Sequence, residues 1–198
     1  MKKVNLFKTA LLAFGFAIVA FGCKNEGSTG VEEPVVEETV ETDEADAPTL
    51  TDEIIASIAV TANQVDVNWA KIAQEKASNE KVKDFAITMD KDHSAIIDAA
   101  VKFAGEHGLV PDNDNETTQG FLQSEKDISE KLNSLSGEEF DKFYIDNEVT
   151  FHDNVIQAVE NTLIPAIQNA EFKEFLSGAV PLFKEHLDHA RMIQKELE

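Results

Sequence analysis

Three histidines, His93, His152 and His186, fall on the apolar stripes of three different predicted helices. Imidazole is the commonest metal ligand and also a common buried hydrogen-bonding group. Carboxylates accompany two of them. Asp90 precedes His93 by three residues and Glu148 precedes His152 by four, spacings that put each pair on one helix face. His189 follows one turn after His186. His107 stands at a predicted helix end, where it can meet terminal carbonyls and the helix dipole.

The depths of these groups agree. The predicted helices run over roughly 52–77, 80–107, 138–165 and 171–197. At 1.5 Å per residue, Asp66, His93, His152 and His186 each lie within about 3 Å of their helix midpoint. Three imidazoles and one carboxylate are thus expected in one layer of a helical core. Helical bundles build di-metal sites from inward glutamates and Glu-x-x-His pairs. "DKDH" meets that spacing with aspartate, helix three has a spacing of four, and helix four has no matching acid. A mononuclear site of three nitrogens and one oxygen fits better, for zinc, iron or copper. Its candidate ligands are Asp66, His93, Glu148, His152 and His186, with Asp90 and His189 as supporting groups. The alternative reading is a structural polar layer in which each histidine bonds a carboxylate or carbonyl.

Other chemistry finds little support. The chain has one cysteine, Cys23, and neither a serine or cysteine nucleophile arrangement nor a glycine-rich phosphate loop. "DNDNET" from Asp112 lacks the glycine of a calcium loop and reads as a polar turn. No catalytic residue is assigned. The net charge of −21, from 38 acidic and 17 basic side chains, disfavours nucleic acid as a partner.

The positioning elements are helices. Ile55, Ile58, Ala62, Val65, Trp69 and Ile72 recur at steps of three and four after Thr51, a predicted N-cap. Val82, Phe85, Met89, His93, Ile96, Ala100 and Phe103 form the second stripe, with Gly108 as its stop. A shorter helix carries Phe121, Ile128, Leu132 and Leu135. Ser136 and Glu139 have capping-box spacing before the third long helix, which ends near Pro165. Pro181 is expected to kink or to begin the fourth. No strand signal is present. The fold expected is all-α, a ferritin-like four-helix bundle with an extra short helix in the crossover between helices two and three.

The start of the chain reads as a targeting segment. Lys2, Lys3 and Lys8 precede "TALLAFGFAIVAF", 13 mostly apolar residues, which suits a signal-peptide core and is too short to span a bilayer. "AFGC" resembles the lipobox of bacterial lipoproteins, with Ala20 where leucine is favoured. That resemblance implies cleavage before Cys23 and its lipidation. Residues 24–50 hold nine acidic residues, one lysine and two prolines, a composition that cannot bury a core. The expected organisation is a signal peptide over 1–22, lipidated Cys23 and an acidic tether over 23–50, and a helical domain over 51–198. The expected location is the cell envelope, anchored to a membrane through lipid.

Three runs carry a family resemblance over about residues 51–198: "DVNWAKIAQEKASNEKVKDFAITMDKDHSAI", "LSGEEFDKFYIDNEVTFHDNVI" and "FKEFLSGAVPLFKEHLDHARMI". Within them stand Asp92–His93, Ser-Gly-x-x-Phe-Asp-x-x-Tyr from Ser136 to Tyr144, His152, and Pro-x-x-x-x-His from Pro181 to His186. The chain resembles a bacterial family of unknown function whose members are secreted, often labelled outer-membrane proteins and built on a ferritin-like bundle, which implies peripheral anchoring at the outer membrane. That family usually carries glutamates in helix one where this chain has Asp66 and Asn68. Two function classes follow: a metal-binding or oxidative-stress module of the envelope, and a non-catalytic interaction module whose histidine layer only sets helix register.

Overall fold

The computed structural model describes residues 49–198. The signal segment, Cys23 and all but the last two residues of the expected tether lie outside the described residues. Among the described residues there is no strand, and no helix is long and apolar enough to cross a membrane.

Among the described residues five helices of more than two turns form, and their ends follow local chemistry. Helix α1 spans Asp52–Lys76, with the Thr51 side chain accepting the Ile54 N–H as predicted. Helix α2, Glu80–His107, ends at Gly108, whose φ of 65° is the left-handed cap expected of glycine. Helix α3, Glu116–Ser134, is capped by Asn115, which accepts the Thr118 N–H at 2.8 Å. The polar run before it therefore acts as a capping turn.

Helix α4, Gly137–Ala158, starts differently from the expected capping box. Ser136 holds the N-cap position, but its side chain caps nothing. Gly137 takes φ +60° and turns the chain into the helix by backbone geometry. Past Ala158 the ladder widens into a π turn, Val159–Leu163, in which the Ile164 N–H reaches the Val159 carbonyl. A last α turn, α5 (Ile164–Ala166), holds Pro165. Proline supplies no N–H to the ladder, so the helix loosens just before it. Helix α6, Ala170–Leu197, continues past Pro181, which lies on its exposed side. Proline here neither starts nor ends the helix.

Polar anchors fix how these helices meet. Asp141 of α4 accepts the backbone N–H groups of Ser78 (3.0 Å) and Asn79 (2.9 Å), and the Ser78 hydroxyl, pinning the α1–α2 turn. Asp52 accepts the N–H groups of Gln168 and Asn169, both at 2.8 Å, tying the start of α1 to the start of α6. Helix α3 lies against α1: Trp69 donates its indole N–H to the Glu125 carbonyl, and Lys76 donates to the carbonyls of Leu132 and Asn133.

The core has two apolar ends. One holds Trp69, Phe85, Met89, Phe140 and Tyr144, and the other Ile55, Leu163, Phe172 and Leu176. Along every long helix except α3, a polar residue separates the two.

Candidate metal centre

Those polar residues form one cluster. Asp66 comes from α1, His93 from α2, Glu148 and His152 from α4, and His186 from α6. All five are buried, with Asp66 and Glu148 fully so. The ring centroids of the three histidines stand 5.1–5.7 Å apart. Two sets each offer donor atoms within 4.8 Å of one another, His93–His152–His186 and Asp66–Glu148–His152. His152 belongs to both. The structure thus brings together all five candidate ligands and adds Glu148 to the layer of three imidazoles and Asp66.

Each imidazole is held from behind. The Asn63 amide N–H donates to the Ala59 carbonyl at 2.7 Å, which turns its oxygen toward His93. His93 Nδ1–H donates to that oxygen at 2.8 Å. His152 Nδ1–H donates to the Glu148 carbonyl at 3.1 Å, with a Glu148 carboxylate oxygen 3.4 Å away. His186 Nε2–H donates to Asp92 at 3.2 Å. Amide oxygen, carbonyl and carboxylate only accept, so each bond fixes the tautomer. The second nitrogen of each ring, His93 Nε2, His152 Nε2 and His186 Nδ1, carries a lone pair and has no hydrogen-bond partner. Neither do the four carboxylate oxygens of Asp66 and Glu148. His93 Nε2 and His152 Nε2 approach the same Asp66 oxygen at 3.3 and 3.5 Å, without hydrogen-bond geometry.

Such orphaned groups are costly in a core. Burial adjusts their charge. It pushes Asp66 well above the usual carboxylate range, and the neighbouring Glu148 pushes it further, against the pull of His152. Burial raises Glu148 to about 8, although Tyr144 one turn away draws it down in part. The Tyr144 hydroxyl lies near Glu148 but is not in hydrogen-bond geometry, and burial raises its own pKa strongly. His93 is pushed well below the imidazole range by burial, then by His152 and His186. His186 falls to about 4 through burial, despite Asp92.

The two supporting residues predicted from spacing stand elsewhere. Asp90 turns toward α1 and its own next turn, accepting from Gln74 at 3.0 Å and Ser94 at 3.3 Å. His93 is instead supported across the interface by Asn63. His189 sets its ring edge-to-face with Phe85 at 5.3 Å and holds no place in the cluster. The supporting residues that spacing missed are Asn63, Asp92 and Tyr144, with Phe183 stacked on His93. Asn63 was hidden because α1 packs against both α2 and α3, so its buried face is wider than the stripe through Ala62 and Val65. Asp92 stands beside His93 in sequence but serves the histidine of another helix.

A family model described as "Domain of unknown function (DUF4142)" matches residues 38–193. The match begins inside the segment that composition assigns to the tether. No curated protein and no solved structure matches the chain significantly.

Proposed function

The chain belongs to the DUF4142 family, whose description names no activity, and we propose from its own residues that it is a transition-metal-binding module of the cell envelope. The fold reading is a ferritin-like bundle of α1, α2, α4 and α6, with α3 in the crossover. Anchoring is read from Lys2, Lys3, the apolar run and Cys23, which would lipidate and hold the domain at the outer membrane on an acidic tether. A metal-handling or oxidative-stress role suits that place, and no reaction is assigned.

One observation carries the metal reading. Three ring nitrogens and four carboxylate oxygens, all buried and all lacking hydrogen-bond partners, belong to five residues that meet at the centre of the bundle. The opposite nitrogen of each ring is tied to an acceptor, as ligating histidines require to fix their tautomer. Nitrogen-rich sets with carboxylate suit zinc, iron or copper. The ligands would be His93, His152, His186 and Asp66, with Glu148 beside them.

A second reading rests on the charge states. Burial favours neutral Asp66, Glu148, His93 and His186, so the layer is able to stand as an uncharged structural seam. An interaction module with such a seam would use its outer surface. Asn63→Ala separates the two. If the cluster holds metal, losing the acceptor behind His93 weakens Zn²⁺ affinity by about 10–100-fold in a competition titration, with the fold retained. An unmeasurable Zn²⁺ affinity in the unsubstituted chain would favour the structural seam.

A further inference from the structure

All five cluster residues are sealed, yet a cation needs a way in. Among the described residues, openings approach the cluster from two sides. Between α1 and α4 lies a space of about 10 Å³, bordered by Ala62, Phe151, Val155 and Phe183 beside His93 and His152. It is the size of one water, and no carboxylate lines it. Between α2 and α6 lies a cleft of about 340 Å³, walled by the small residues Ala95, Ala99, Gly178 and Ala179 together with Ile96, Phe175 and Leu182. One ionisable side chain lines that cleft, Asp92. Its side chain is 21% exposed, and its carboxylate accepts from His186 Nε2–H at 3.2 Å. The other nitrogen of that same ring is the unpartnered His186 Nδ1.

We propose that Asp92 is the port through which a divalent cation enters and leaves the histidine cluster, by way of the α2–α6 cleft. The inference rests on the metal-binding reading above. A carboxylate at the foot of an apolar cleft is the one attractive group a cation meets there, and low-dielectric walls strengthen that attraction. The exposed Lys91 ammonium, 3.4 Å from the second Asp92 oxygen, gives way cheaply because exposed pairs are weak. From Asp92 the cation passes to His186, whose ring bridges cleft and cluster. Gly178 favours this use. It stands inside α6 with nothing within 4 Å of where a Cβ would be, so close packing does not require a glycine there. Its missing side chain keeps the cleft wide.

Stopped-flow mixing of the purified full chain with Co²⁺ alone, followed by visible absorption, tests the port. Asp92→Asn keeps an acceptor for His186 and removes the charge. Capture should slow by about tenfold with release no faster. A residue that only positioned His186 would instead leave capture unchanged and speed release. Ala95→Leu supplies an independent check, since a helical side chain leans toward the preceding turn and would cover Asp92. Capture and release should both slow by about tenfold, leaving their ratio, the affinity, unchanged. Capture rates unchanged in both variants, with Co²⁺ still bound, would overturn the port and leave the metal reading standing. No Co²⁺ bound by any of the chains would overturn both.

Discussion

Replacing His152 by alanine will abolish tight metal binding while the helices persist. His152 is the one residue shared by the two donor sets, and its free Nε2 points at the same Asp66 oxygen that His93 approaches. Removing it takes a donor from both sets at once. The loss of affinity should exceed the 10–100-fold typical of losing a group behind a ligand. Two separate apolar ends keep the fold together: Trp69, Phe85 and Phe140 at one, Ile55, Leu163 and Phe172 at the other. Zn²⁺ titration read beside far-ultraviolet circular dichroism checks both halves of the expectation. A helical His152→Ala variant that binds metal as tightly as the parent would remove His152 from the site.

The second large effect is on stability against pH, and its sign is opposite with and without metal. In the metal-free protein Glu148 titrates near 8 in the folded chain, against an ordinary value of 4.5. Between those values the folded state binds the extra proton, so stability is full at low pH and is lost as pH rises toward 8. Asp66, also raised, acts in the same direction. His186 titrates near 4 against 6.5, and His93 is lowered too, so their stability is present above 6.5 and lost as pH falls. Below 6.5 the two effects oppose. Above it only the carboxylates act, and Glu148 alone should cost the metal-free protein about 1.5 kcal/mol between pH 6.5 and 8. Denaturant melts at several pH values measure this, and Glu148→Gln should flatten the slope. With metal the sense reverses. Binding must displace protons from Glu148 and Asp66, so affinity climbs as pH rises toward 8. A metal-free protein whose stability rises from pH 6.5 to 8 would contradict the burial argument.

The helices were readable because each has a strong stripe and a local stop. Thr51, Gly108 and the gap before Ala170 end their helices where capping chemistry places them. The π turn at Val159–Leu163 was not readable, since it depends on how the ladder accommodates Pro165. Four of the five central residues, Asp66, His93, His152 and His186, were readable from depth: equal distance from helix midpoints puts groups in one layer whatever the crossing angles. Their partners were not. Spacing along one helix offered Asp90 to His93, but Asn63 of α1 takes that bond, and Asp92 reaches across to His186. Which neighbour a ring nitrogen meets is decided between helices, by rotation about each axis, and a stripe leaves that rotation open. Glu148 is intermediate, since its four-residue spacing to His152 does bring carboxylate and ring to 3.4 Å.

If the buried donors of Asp66, His93, His152 and His186, with Glu148 beside them, hold a transition metal, the purified protein will carry it. Total metal content of the purified full chain tests it most directly, by elemental mass spectrometry after expression in metal-supplemented medium. Near-stoichiometric zinc, iron or copper is expected, lost in His93→Ala and in His186→Ala. No transition metal above background in a helical, cooperatively melting chain would contradict it and make the histidine layer structural.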